Sequence, residues 1–169
     1  STLASGVSKN EHLLEKIRDG ILEIDMQRDL LRQQHRLDLA SVGEQLENRD
    51  VEKRSLREQR REQQRTVELG VEKLGRLSKA ANEGAVSEWD LLQQEGELAA
   101  LRRGLGRLEQ DVAMQQRQHD LLQSRLESLP VQLEAGLSDL RLKKTRLSQK
   151  IAEYESRRLT ILKAPIDGT

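Results

Sequence analysis

The sequence has no cysteine, no phenylalanine, one tryptophan, one tyrosine and two prolines in 169 residues. Without cysteine, neither a disulfide framework nor a thiolate metal site is possible. Large aromatics fill thick globular cores, so their near absence argues against a compact globular fold. Twenty-nine basic and twenty-nine acidic residues cancel to zero formal net charge. Nothing therefore draws the chain to nucleic acid or to an anionic membrane regardless of sequence. No run of about eighteen apolar residues and no signal-peptide pattern is present, so any membrane attachment lies in parts outside this segment. What the chain does have is charge, at 34% of residues. Leu, Glu, Arg and Gln dominate, the composition of long solvated helices with a narrow apolar seam.

That seam is visible by counting in sevens. From Leu91 the positions are Leu91, Leu98, Leu105, Val112, His119, Leu126, Leu133, Leu140, Leu147, Tyr154 and Ile161, with His119 the one polar member. A strict repeat of seven keeps one face turned to a partner helix and marks a coiled coil. A second column runs Leu14, Ile21, Arg28, His35, Val42, Arg49, Leu56, Gln63, Gly70 and Leu77. Its companions sit three residues after each member early and four residues after later, so the stripe rotates near residues 35–43. The weak helical stretch Ala40-Ser41-Val42-Gly43 is the expected place for a break in the first arm. In the second column the same change falls at Ser128-Leu129-Pro130, where proline removes a helical hydrogen bond while the sevens continue in register. A kink is expected there.

Between the columns lies Asn82-Glu83-Gly84-Ala85-Val86. Gly84 suits a left-handed backbone after a helix end, and Ser87 with Asp90 reads as the next helix cap. A connection this short between two long periodic segments forces an antiparallel hairpin. Positions summing to 168 then face each other: Leu77 with Leu91, Gly70 with Leu98, Leu56 with Val112, Val42 with Leu126. The same rule sets Arg49 opposite His119 as a polar layer that fixes register.

The expected fold class is all-α, a long antiparallel coiled-coil hairpin segmented near 40–43 and 128–130. Residues 1–7 form an irregular lead, with Ser8 and Glu11 as the capping box of a first arm over 8–82. Residues 83–87 form the tip turn, and 88–162 the second arm. Straight arms of this length would reach roughly 110 Å at about 1.5 Å per residue. Pro165 and Asp167-Gly168 end the helix and turn residues 163–169 toward a β-strand. Outside the seam the faces read as charged, so the hairpin alone is expected to be mainly monomeric.

Catalytic chemistry finds no foothold. His12, His35 and His119 lie far apart and none has metal-ligand spacing. No nucleophile elbow, phosphate loop or zinc-protease motif is present, and no cofactor is expected. The basic run from Arg49 to Arg65 holds seven basic and four acidic residues. Its acids are interleaved at helical spacing and no aromatic is available to stack a base, so it reads as a solvated face.

The closing Ala164-Pro165-Ile166-Asp167-Gly168-Thr169, taken with the hairpin and its turn, resembles the membrane fusion proteins, or periplasmic adaptors, of the hemolysin-secretion type. In that family a helical hairpin interrupts a lipoyl-like β-domain, and an APxDG segment marks the return of the chain into it. The family also places Arg, then Leu four residues on, then Ser seven further, at the hairpin tip. Arg76 and Ser87 have that spacing here. Position 80 holds Ala in place of Leu, with Leu77 one turn back as the nearest apolar side chain. The Ser128-Leu129-Pro130 kink is similar to the branch that exports peptide bacteriocins. The resemblance implies a non-enzymatic periplasmic segment whose parent is anchored in the inner membrane of a Gram-negative bacterium. It would join an inner-membrane ABC transporter to an outer-membrane exit duct as a homo-oligomer, its tip residues Arg76, Leu77, Ala80 and Ser87 meeting the duct. The alternative is a structural or scaffold coiled coil that dimerises. It accounts for the heptads but not for the tight turn followed by APIDG.

Overall fold

The computed structural model describes residues 2–163. Two helices account for them: α1 over Thr2–Asn82 and α2 over Glu88–Lys163. They pack against each other as an antiparallel hairpin. The strand expected at the C-terminus falls in residues 164–169, outside the described residues.

The pairing rule deduced from the two columns holds along the whole hairpin. A Cβ placed on Gly70 would stand 3.1 Å from Leu98, and one on Gly20 would stand 3.3 Å from Leu147. Gly136 is tighter, with a Cβ only 2.7 Å from Leu31. Lys144 Nζ donates to Asp25 at 2.9 Å, and Arg158 lies 3.6 Å from Glu11. Every one of these pairs sums to within about one residue of 168. The glycines sit where the opposite helix places a leucine, so they are the hollows that receive the knobs.

By contact the chain divides into two compact units. One joins the residues up to Ala40 with those from Glu127 onward, and the other is Ser41–Leu126. In the first, Leu14, Ile24 and Leu129 are buried; in the second, Val42 and Leu98 are, at 1% and 2% exposure. So few fully buried side chains are what two helices can provide. Each seam residue is covered from one side only, and most are half-buried.

Two features differ from the sequence expectation. α1 begins at Thr2 rather than at Ser8, because the seam reaches one heptad further back. Val7, Asn10 and Leu14 line a shared groove with Tyr154, Ile161 and Leu162, and Ser5 Oγ donates to the Thr2 carbonyl at 3.0 Å. Glu11, expected in a capping box, instead faces Arg158. Nor does the backbone break at 40–43. α1 is continuous there because Val42, the most buried side chain of the described residues, anchors that turn. As expected, α2 does not end at Pro130 but runs through it, although the missing amide would have bonded the carbonyl of Leu126. Pro130 itself is exposed, while Leu129 beside it is 6% exposed. Both discontinuities of the heptad pattern nevertheless coincide with the unit boundaries, at Ala40/Ser41 and Leu126/Glu127. α2 is described as far as Lys163, where the described residues stop.

Candidate functional site

The tip is built by two caps. At the end of α1, Ala85 N–H donates to the Ala80 carbonyl at 2.8 Å and Gly84 N–H to the Ala81 carbonyl at 3.1 Å. These are the two bonds of a Schellman motif, with Gly84 in the left-handed position at φ 77°. α2 is then started by Ser87, whose Oγ accepts from Asp90 N–H at 3.2 Å and donates to Asp90 Oδ2 at 2.8 Å. Asp90 and Glu88 in the first turn also complement the helix dipole.

This geometry locates each tip residue read from the sequence. Arg76 is exposed and makes no ion pair with any described residue, so its guanidinium is available. Leu77 is half-buried in the seam. Ala80 is half-buried and its carbonyl belongs to the α1 cap. Ser87 is exposed, with its hydroxyl already committed to α2. The tip therefore offers one free cation from the family-like spacing, and its apolar member is turned inward.

A residue the sequence reading passed over stands out in the same place. Trp89, the only tryptophan of the chain, is 69% exposed, and Leu92 one turn on is 64% exposed. A lone tryptophan beside a helix cap was the available signal. Its indole joins a large apolar face to an N–H donor, the combination enriched at interfaces.

The polar layer is arranged differently from the simple facing of Arg49 and His119. Both are half-buried at one level of the second unit. Arg49 Nη1 donates to Gln115 Oε1 at 3.0 Å and lies 3.3 Å from Glu52. His119 Nε2 meets Asp50 Oδ1 at 3.2 Å. Its Nδ1 is 3.7 Å from Asp120 Oδ1, too far for a hydrogen bond, and has no other partner. A further cross-link in this unit joins Gln63 Nε2 to the Leu101 carbonyl at 3.0 Å. Gly104 makes the room, since a Cβ there would stand 3.2 Å from that amide nitrogen.

Among the described residues no group of three or more His, Cys, Asp or Glu is placed to hold a metal ion. No helix is long and apolar enough to cross a membrane. A groove beside the seam, lined by Ile24, Asp25, Leu137, Leu140 and Lys144 among others, has about 250 Å³. Another groove, along α1 and lined by Gln27, Leu30, Gln33 and Leu37 among others, has about 500 Å³, within the roughly 300–1,000 Å³ of ligand pockets. No protein-family model, curated protein or solved structure matches this chain.

Proposed function

We propose that this chain is the hairpin of a periplasmic adaptor of the hemolysin-secretion type. In this reading it links an inner-membrane ABC transporter to an outer-membrane exit duct for protein or peptide export, and the parent protein acts as a homo-oligomer. The observation that carries the reading is the capped tip, with an exposed Arg76 that makes no ion pair with a described residue about two turns before the end of α1, and an exposed Trp89 in the first turn of α2. Arginine and tryptophan are the residues that most often dominate protein interfaces. A free guanidinium recognises carboxylate or carbonyl groups by charge-assisted hydrogen bonds, and an indole fills an apolar recess. The APIDG ending adds sequence support.

The test is export in cells lacking the native adaptor and supplied with variants of the parent protein. Arg76→Ala should lower secretion while leaving melting within about 0.5 kcal/mol of wild type, as exposed substitutions do. Arg76→Asp should lower it further. Ser87→Ala should lower both secretion and stability, because the cap contributes about 1 kcal/mol. Full secretion by Arg76→Asp would remove the tip from the mechanism.

A further inference from the structure

Zero net charge over the whole chain conceals blocks of opposite sign within the unit Ser41–Leu126. Residues 49–65 of α1, with the stretch 103–119 that faces them by the 168 rule, carry ten basic and six acidic residues, a net +4. Residues 66–102, which include the tip, carry four basic and seven acidic residues, a net −3. Fixed charges in water are felt over a Debye length of about 8–10 Å at physiological salt. The basic stretch of α1 is about 24 Å long, so its middle lies beyond the reach of the acids at the tip.

Within this block Arg54, Arg57, Arg61 and Arg65 follow one another in steps of three, four and four. That spacing sets them on one face of α1, within an arc of roughly 80° and over about 16 Å of helix. All four are exposed. None forms an ion pair or a side-chain hydrogen bond with a described residue. The acids that the sequence interleaves with them do not neutralise them. Glu58 and Glu62 stand along one flank at helical ion-pair spacing, yet neither is bonded to the row. Asp50, one turn before the row, meets His119 at 3.2 Å, and Glu52 lies 3.3 Å from Arg49. The stretch that reads in sequence as a solvated face of mixed charge is, once the side chains are placed, a ladder of free guanidinium groups.

We propose that this row docks an acidic helix of a partner protein, laid along α1. Helical geometry makes the match commensurate. Carboxylates placed on a partner helix in the same steps of three and four rise by the same amount, about 4.5–6 Å per step. Each guanidinium then meets one carboxylate, in the forked geometry that arginine favours. Glu68 closes the row on the same face one turn after Arg65, so the recognised acidic run is about three turns long. A nucleic-acid strand fits less well. Single strands are held by stacking their bases on aromatic side chains, and Trp89 and Tyr154, the two aromatic residues of this chain, lie outside the block. One exposed charge pair contributes little, so the row acts by repetition, steering an acidic partner to α1 and fixing its register. The proposal concerns the arm of the hairpin and does not rest on the adaptor reading.

The probe is a synthetic helical peptide with four glutamates in the same steps on one face, carrying a fluorophore. Fluorescence anisotropy follows its binding to the whole 169-residue chain. A peptide of identical composition with its glutamates spread around the helix, and a single-stranded thymidine oligonucleotide, serve as comparisons. The patterned peptide should bind at least tenfold more tightly than either. Its binding should be lost at about 0.5 M salt, where the Debye length is about 4 Å. Arg57→Glu with Arg61→Glu should weaken binding at least tenfold. Arg103→Glu with Arg107→Glu, the same change of charge placed on α2, should weaken it less than threefold. Arg57→Gln with Arg61→Gln should weaken it several-fold with helicity unchanged by circular dichroism, which separates the loss from a folding defect. Equal weakening by the α1 and α2 reversals would reduce the effect to net charge and overturn the proposal. Equal binding of the two peptides, or no binding of either, would overturn it as well. Tighter binding of the oligonucleotide would overturn it in favour of a nucleic-acid strand. Secretion by the Arg76 variants reads the tip separately from all of these.

Discussion

Gly84 and Gly75 show how one residue type takes opposite roles within a few turns. Gly84 has φ 77°, a region that costs a side-chain-bearing residue about 1–2 kcal/mol. Gly75 is inside α1, about two turns before its C-terminal end, and a Cβ added there would meet nothing within 4 Å. Gly84→Ala should therefore lower stability by about 1 kcal/mol, whereas Gly75→Ala should raise it by about 0.5–1 kcal/mol through helix propensity. Thermal unfolding of the two variants checks both signs. Caps of this kind are legible in a sequence because they depend on neighbours only a few residues away. Gly84, Ser87 and Asp90 were all readable for that reason. The partner of His119 was not. Adjacent helical residues differ by about 100° in direction, so a heptad count identifies the layer but leaves Arg49 and Asp50 as competitors for the contact. Packing gave it to Asp50 and sent Arg49 to Gln115. The exposure of Trp89 escaped for a related reason, since it lies two residues off the seam column that the count follows.

At the scale of elements, the connection between α1 and α2 in the first unit includes one ionic link with a readable pH signature. The hydrogen bond from Lys144 and its charge, helped by Arg28, hold the Asp25 carboxyl below the ordinary value of 3.8 against an opposing desolvation effect. A carboxylate whose folded pKa is depressed adds stability above its unfolded value, and that stability is lost as pH falls through the folded value. Acidification from neutrality should leave this contribution intact down to about pH 4 and remove it below. Asp25→Asn should be less stable than wild type at neutral pH, with the difference shrinking below pH 4. Chemical denaturation at both pH values measures it. The helices themselves were legible because a heptad column is a long-range repeat that averages over local weakness. Their ends and continuity were less so. Ala40-Ser41-Val42-Gly43 is weak by propensity, and Pro130 by chemistry, yet each lies beside a buried seam residue, Val42 and Leu129. Burial outweighed the local preference at both places. Thr2–Val7 became helical because α2 is long enough to cover it.

For the whole molecule, the functional reading depends on one topological fact. If the chain folds back at residues 83–87, Arg76 near the end of α1 and Trp89 at the start of α2 both belong to the tip of the hairpin. If it did not, the tip would be an interior stretch of a longer helix, and the 168 register would have no meaning within one molecule. The sequence supplied this topology through two heptad columns and a capped turn. It did not supply the row of free arginines on α1, because acids interleaved at helical spacing read as their partners until the side chains are placed. Nitroxide labels at Leu77→Cys and Leu91→Cys, in a chain that has no other cysteine, measure the fold-back directly by electron-paramagnetic-resonance distance. Antiparallel packing predicts a separation of about 10 Å, the spacing of neighbouring helix axes. A continuous helix through Gly84 would place the labels about 20 Å apart along one axis, and that distance would contradict the hairpin and everything argued from its tip.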